Sequence, residues 1–262
     1  MSNLSLTLRD SATMLRRDVQ HSVRRLSMTL SGLLTPTIML LLFVYVFGGT
    51  MSAGLDGIAR GGAYINYVAP AIIIMTVGSG CATTAINLCM DMAEGIIARF
   101  RTMAISRASV LTGQVIGSLI RTILSIILVL GVSLLMGFRP TASLVAWIAA
   151  LGLIALFTFA VTWMGVVFGM VGKTPAGANS LSLIFLLLPF ISSAFVPPES
   201  MPVGVRWFAE YQPFTPVIDT LRGLLLGTPI GNSAVLAIAW CVVLTLIGYL
   251  WARAIYNRDP VR

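Results

Sequence analysis

Gly172-Lys173-Thr174 carries the residue types that close a phosphate-binding loop, in which backbone N–H groups and a lysine cradle the phosphates of a nucleotide. That loop also needs a glycine five positions before Gly172, where Val167 stands, and a preceding strand, where this chain has a long apolar run. The chain is therefore expected to hold no nucleotide site of its own. It has nine acids and one histidine, His21, which falls among polar positions and reads as solvated. No carboxylate pair, histidine cluster or serine–histidine arrangement is placed for acid–base or nucleophilic chemistry. No carboxylate lies well inside an apolar run, where an ion- or proton-coupled carrier usually needs one. Cys81, Cys89 and Cys241 sit in apolar runs without metal-ligand spacing, so they read as small buried residues and no metal site is expected.

Two weaker patterns carry less. Asp56-Gly57-Ile58-Ala59-Arg60 has a partial likeness to the aspartate motif of membrane phosphatidyl alcohol transferases, but the next acid is Asp91, and hard cations want several oxygen ligands in one place. A solvated turn is the reading adopted. Gly113 with Gly117, and Gly165 with Gly169, have the spacing that lets helix backbones approach closely, a packing feature.

The informative stretch is MAEGIIARFRTMAISR, residues 92–107, which gathers one acid and three arginines in a chain that is only 10% charged. Drawn as a helix, Ile96, Ile97, Phe100, Met103 and Ala104 share one arc, while Glu94, Arg101 and Thr102 lie opposite, with Arg99 at the edge. Such an amphipathic surface helix can put apolar residues into a partner's groove and fix register with its charges. Arg121 stands inside an apolar run, where an arginine costs roughly 2.5–3.5 kcal/mol and so should face the bundle or a wet cavity. It reads either as a substrate or gating contact, or as a structural arginine satisfied by carbonyls or by reaching the interface.

The elements that must hold these residues follow from composition. The chain has 262 residues and is 57% hydrophobic, well above a soluble domain, with a mean hydropathy of +0.94. Its runs of about 20 apolar residues match the length a helix needs to cross the bilayer. Six spans are expected, at about 31–49, 65–89, 111–137, 143–171, 177–196 and 232–252, making an all-α membrane protein. Residues 1–30 form an apolar stripe, Leu8 to Leu30 at steps of three or four, with Arg9, Arg16, Arg17, Arg24 and Arg25 off it. An interfacial helix is expected there, ahead of a transmembrane domain at 31–262.

Twelve arginines and lysines fall on the side of the termini against four on the other, so both termini are expected in the cytoplasm and the helix of about 91–107 with them. The thirty residues before the first apolar run exceed an ordinary n-region, so no cleaved signal peptide is expected. The net charge of +8 reads as this bias and not as nucleic-acid binding. The segment 197–231 would be external and is too apolar for a free loop. Val203, Trp207 and Phe208 form one face and Leu221, Leu224 and Leu225 another, separated by Pro213 and Pro216. Two short helices dipping into the outer leaflet are expected, the alternative being a folded outer loop without membrane contact.

Three groups of residues carry a family resemblance. The first is Asp91-Met92 and Glu94-Gly95 with Arg99-Phe100-Arg101-Thr102, Ile105-Ser106-Arg107, Val110-Leu111 and Gly113. The second is Phe195-Val196-Pro197 with Ser200-Met201-Pro202. The third is Phe208-Ala209-Glu210, Gln212-Pro213, Thr215-Pro216-Val217 and Leu221-Arg222-Gly223. In this order the chain resembles the membrane subunit of type-2 ATP-binding-cassette exporters, in particular the daunorubicin-resistance-type drug-efflux permeases. Ala104 stands where the family commonly has proline, and Tyr211 where it commonly has asparagine.

The resemblance implies a coupling helix that docks into a separate cytoplasmic ATPase subunit through Glu94, Gly95, Arg99, Arg101, Thr102, Ser106 and Arg107. It also implies an external motif of Pro197, Gln212, Pro213, Arg222 and Gly223. ATP and magnesium would sit on the partner, two copies per complex, with no cofactor on this chain. Two permease subunits, identical or paired with a relative, would enclose a path for drugs across the bacterial inner membrane. Export of a lipid or lipid-linked glycan is the alternative, and a membrane enzyme on lipids would need clustered acids that the sequence lacks.

Overall fold

The computed structural model describes residues 26–47, 64–94 and 107–258. The expected interfacial helix up to residue 25, and the coupling segment from Gly95 to Ser106, lie outside the described residues. Eight α-helices follow one another among the described residues: α1 (Leu26–Leu42), α2 (Tyr64–Ala93), α3 (Arg107–Leu135), α4 (Leu144–Val171), α5 (Pro175–Leu187), α6 (Val203–Tyr211), α7 (Phe214–Leu226) and α8 (Ser233–Arg258). Helices α2, α3, α4 and α8 are long and apolar enough to cross a membrane. The chain is a multi-pass membrane protein. The apolar stretches Leu34–Val46 and Pro175–Ile191, where the first and fifth spans are expected, form shorter helices.

Both differ from expectation for local reasons. Helix α1 begins at Leu26, five residues early, because Leu26–Leu30 contain no breaker, and it ends in a wider π-helical turn over Phe43–Phe47. Helix α5 stops at Leu187 and tightens to a 3-10 turn over Leu188–Ile191, although the apolar run continues to Val196. Pro189 has no N–H to give to the preceding turn, so the α-helical ladder cannot run through it.

The turn between α4 and α5 accounts for Gly172-Lys173-Thr174. Gly172 caps α4 by donating its N–H to the Phe168 carbonyl. Lys173 takes the left-handed conformation at φ 52°, and the Thr174 hydroxyl accepts from the Gly177 N–H at 3.1 Å as the N-cap of α5, with Pro175 in the first turn. A tripeptide with the residue types of a phosphate loop is thus a tight helix–helix turn.

The bundle is organised around α2, which is 67% buried over its most apolar stretch, against 33%, 39% and 22% for α3, α4 and α8. It packs against α1, α3, α4, α5 and α7. Its middle, Gly78-Ser79-Gly80-Cys81-Ala82-Thr83-Thr84-Ala85, is made of small residues, and this is what admits so many neighbours. In lipid no hydrophobic gain draws helices together, so association depends on close van der Waals approach. A Cβ on Gly78 would overlap the Phe185 carbonyl of α5, and one on Gly80 would overlap Thr122 of α3. From the other side, a Cβ on Gly165 of α4 would stand 2.8 Å from the Cys81 carbonyl oxygen, and one on Gly169 would stand 2.7 Å from that of Ala85. The spacing of Gly165 and Gly169 therefore serves packing, as read from the sequence. All three cysteines are free and buried.

Gly169→Val should destabilise the bundle by about 1–3 kcal/mol, since the α2 backbone it meets cannot yield. Gly152→Ala, on the same helix with open space around it, should leave the thermal unfolding midpoint in detergent unchanged or slightly raised.

Candidate functional site

The break in α5 sets a local problem. Leu188, Ile191 and Ser193 carry main-chain carbonyls that no following helical turn can satisfy, in surroundings where water is scarce. Side chains from α2, α6 and α7 supply the donors. Gln212, which ends α6, gives its Nε2 to the Leu188 carbonyl at 3.1 Å and to that of Ile191 at 2.9 Å. Arg222 of α7 gives Nη2 to the Ser193 carbonyl at 3.0 Å and to that of Tyr67 at 3.3 Å. Tyr67 of α2 adds its hydroxyl to the Ser193 carbonyl at 3.0 Å.

A carboxylate balances the guanidinium. Arg222 Nη1 donates to Asp219 Oδ1 at 3.0 Å, and the Ser193 hydroxyl donates to the same oxygen at 2.7 Å. The guanidinium carbon sits 4.0 Å from the centre of the Tyr67 ring, in cation–π position. The Ser193 N–H donates to Thr215 Oγ1 at 3.3 Å, and that hydroxyl in turn donates to the Ala209 carbonyl. One guanidinium, one amide, one phenol and two hydroxyls thus join the end of α5 to α2, α6 and α7.

The external motif read from the sequence is partly brought together here. Gln212 and Arg222 hold the broken end. Pro213 caps α7 at its N-terminus, and Pro197 opens the short 3-10 turn Pro198–Ser200, its carbonyl accepting from the Ser200 N–H. Gly223 has no room for a side chain, since Ile230 and the Thr228 carbonyl lie against it. Pro216 falls in the first turn of α7, where proline is tolerated, and so does not separate the two short helices. Leu221 and Leu225 are buried as one face, whereas Val203, Trp207 and Phe208 of α6 are exposed. Asp219, Ser193 and Tyr67 were not read from the sequence, and Thr215 only as part of the motif Thr215-Pro216-Val217, without a role. Of the three unread residues, Asp219, three residues before Arg222 on one helix, left a signal there.

Arg121 lies half-buried on α3 and donates Nη2 to Ser118 Oγ at 2.8 Å, beside the buried Thr122 and Ser125. Of the charged stretch, Glu94 closes α2, its N–H bonded to the Met90 carbonyl at 2.9 Å, and Arg107 opens α3. One side of α2 is left half-open at Ser79, Thr83, Asn87 and Met90, spaced by four, four and three residues along one face. Ser79 and Thr83 satisfy their own hydroxyls on the Thr76 and Ser79 carbonyls at 2.8 and 3.1 Å, leaving a mildly polar strip.

Replacing Gln212 by Leu should lower stability by about 2 kcal/mol, because two part-buried carbonyls lose their donor. Arg222→Lys should lower the unfolding midpoint nearly as far as Arg222→Met, since an ammonium cannot fork to a carboxylate and two carbonyls from one place. Thermal unfolding of the purified variants reads both.

Comparison with known proteins meets this geometry from outside. The family model described as ABC-2 type transporter matches residues 10–226. The chain is 28% identical over 196 residues to the daunorubicin resistance ABC transporter permease protein DrrB1 of Streptomyces coeruleorubidus, covering 74% of this chain and 67% of that protein. It is 24% identical over 189 residues to the probable doxorubicin resistance ABC transporter permease protein DrrC of Mycobacterium tuberculosis, covering 70% and 68%. The family match takes in the charged stretch, the broken α5 and the whole of the Gln212–Arg222 anchor, and on it the chain belongs to the ABC-2 type transporter family.

Proposed function

We propose that this chain is the permease subunit of an ATP-driven exporter of hydrophobic or amphipathic drugs, with ATP and magnesium bound by a separate cytoplasmic subunit. The observation that carries the reading is the match through residue 226 to a permease family whose similar members are named for daunorubicin and doxorubicin resistance. Two permease copies, identical or paired with a relative, would face each other across the path, with two ATPase subunits below. Six crossings, with α1 and α5 as the short ones, would put both termini in the cytoplasm of a bacterial inner membrane. The segment 197–231 would then lie on the outer side, α6 and α7 dipping into that leaflet.

In this arrangement the half-open strip of α2 offers the substrate Ser79, Thr83 and Asn87 among apolar neighbours, a surface suited to a molecule with a hydrophobic body and a few polar groups. The coupling segment supplies force. Glu94, Gly95, Arg99, Arg101, Thr102, Ser106 and Arg107 would contact the ATPase, apolar residues entering its groove and charges fixing register. Arg121 would act beside the path as a structural arginine, its Ser118 bond supporting that role over substrate contact.

Arg101→Ala and Glu94→Ala should each cut ATP-driven daunorubicin uptake into inverted vesicles about tenfold, the effect of about 1.4 kcal/mol lost at the docking contact, with the permease still folded. Undiminished uptake in both variants would remove the docking role. Asn87→Leu should change the KM for daunorubicin while ATPase co-purification stays the same, since it alters the strip and not the coupling segment.

A further inference from the structure

The half of the bundle that carries α6 and α7 contains a second feature, away from the α2 strip. A cavity of about 240 Å³ lies between α2, α3, α4 and α7. Its inner wall is Ile73, Ile126, Ala150, Ile154, Leu221 and Leu225, all buried. Its mouth lies between α3 and α4, where Ile127 and Leu151 are 57% and 54% exposed. The surface around the mouth is apolar as well, with Leu124 and Ile148 exposed on the same two helices. From the geometry we propose that this cavity is a binding site for one hydrocarbon chain of a bilayer lipid.

Three observations select that occupant. Among the lining side chains only the Trp147 indole has a polar atom, so water would find too few partners to stay. The volume exceeds the roughly 150 Å³ of an apolar cavity that takes up benzene, so it admits a slender chain with no rearrangement. Left empty, it would cost every lining atom its contacts on that side. The mouth opens about two turns inside the end of α3 and the start of α4, on helices long and apolar enough to cross the membrane, so the medium at its edge is lipid tail. Trp147 stands in the first turn of α4, at the rim, where an indole favours the boundary between tails and headgroups and can donate its N–H to a lipid ester. The chain end would then rest on Leu221 and Leu225, and the loop before α4 is tied to the same helix by the Thr141 N–H on the Leu225 carbonyl at 2.9 Å. The inference rests on the membrane embedding of α3 and α4 and not on drug export.

The test uses the full chain in vesicles of phosphatidylethanolamine and phosphatidylglycerol, doped with phosphatidylcholine bearing a diazirine near the end of one acyl chain. After illumination the labelled residues are mapped by mass spectrometry. Label on the buried Ile126, Ala150, Ile154 and Leu225 should exceed that on Ile238 and Leu246 of α8, which are as exposed as the mouth residues, by about threefold or more, a modest factor because packing alone separates the cavity from bulk tails. Ala155→Trp, which places a ring in the cavity, should abolish the excess. Ile148→Trp, beside the mouth but outside the lining, should preserve it. Equal label on the cavity and on α8 in the unsubstituted protein overturns the proposal. So does displacement of the label by daunorubicin, which would make the cavity a drug site.

Discussion

A helix that ends inside an apolar region must find donors for its last carbonyls, and much of this structure answers that one requirement. Helix α5 reaches only Leu187 before Pro189 interrupts it, and the chain then turns through Ser192–Val196 where bulk water is scarce. A carbonyl left without a partner away from water costs about 1–3 kcal/mol, and three of them, at Leu188, Ile191 and Ser193, would outweigh much of a membrane domain's net stability. Gln212, Arg222 and Tyr67 answer them directly. Arginine suits the position because one planar fork reaches a carboxylate and two carbonyls together, while its face rests on an aromatic ring. Asp219 and Ser193 then neutralise and orient the guanidinium, so a charge that would be costly alone is largely compensated, with Arg222 Nε and Gln212 Oε1 the two buried polar atoms of the network left without a partner.

The short helices α6 and α7 follow from the same requirement. A plain loop returning from α5 to α8 would bring more unpaired backbone into the apolar region, whereas two helices satisfy their own and present Gln212 and Arg222 from fixed positions. Trp240 of α8 extends the pattern by giving its indole N–H to the Tyr211 carbonyl at the end of α6, at 2.8 Å. The left-handed Gly227, at φ 73°, closes α7 by donating to the Gly223 carbonyl. The segment of α6 and α7 is thus a hydrogen-bonded plug on the end of α5, with Val203, Trp207 and Phe208 exposed on its outside beside the Arg206–Glu210 ion pair.

What the sequence made legible follows this division. Apolar length is a one-dimensional property, and α2, α3 and α4 could be read from it within about four residues at each end, as could the start of α8, which runs on to Arg258 past its expected end at about 252. The end of α5 could not, because Pro189 lies within an apolar run that reads as continuous to Val196. Gln212-Pro213 and Arg222-Gly223 stood out through the family resemblance, but their acceptors did not: Leu188 and Ile191 lie 24 and 21 residues from Gln212, and Tyr67 lies 155 from Arg222. No local pattern links residues at such separations. The packing role of Gly165 and Gly169 was readable because it depends on spacing along one helix. The matching small residues of α2 share that four-residue spacing, Gly78 with Ala82 and Cys81 with Ala85, but their run is continuous, and which neighbour each one admits emerges only where α3, α4 and α5 meet them. Gly172-Lys173-Thr174 is the opposite case, a motif whose residue types suggested chemistry and whose backbone makes a turn.

The two ends of α2 differ in a way that bears on how such a subunit could work. Thirty residues rising about 1.5 Å each make a rod of roughly 45 Å, long enough to reach both faces of a bilayer. Near its first turn Tyr67 is bound to the end of α5 and to Arg222, so that end belongs to the polar plug. Its last turn leads through Glu94 into the charged stretch expected to meet the ATPase. Between them, the small-residue faces hold α3, α4 and α5 at backbone distance, where close packing resists gradual deformation. A push on the charged end would therefore move α2 as a rigid body about its anchored end, carrying its neighbours along and displacing most the half-open strip at Thr83, Asn87 and Met90. A passive bundle arranged in this way needs no titratable group among its spans to change shape, which fits the described acids, none of which lies well inside α2, α3, α4 or α8.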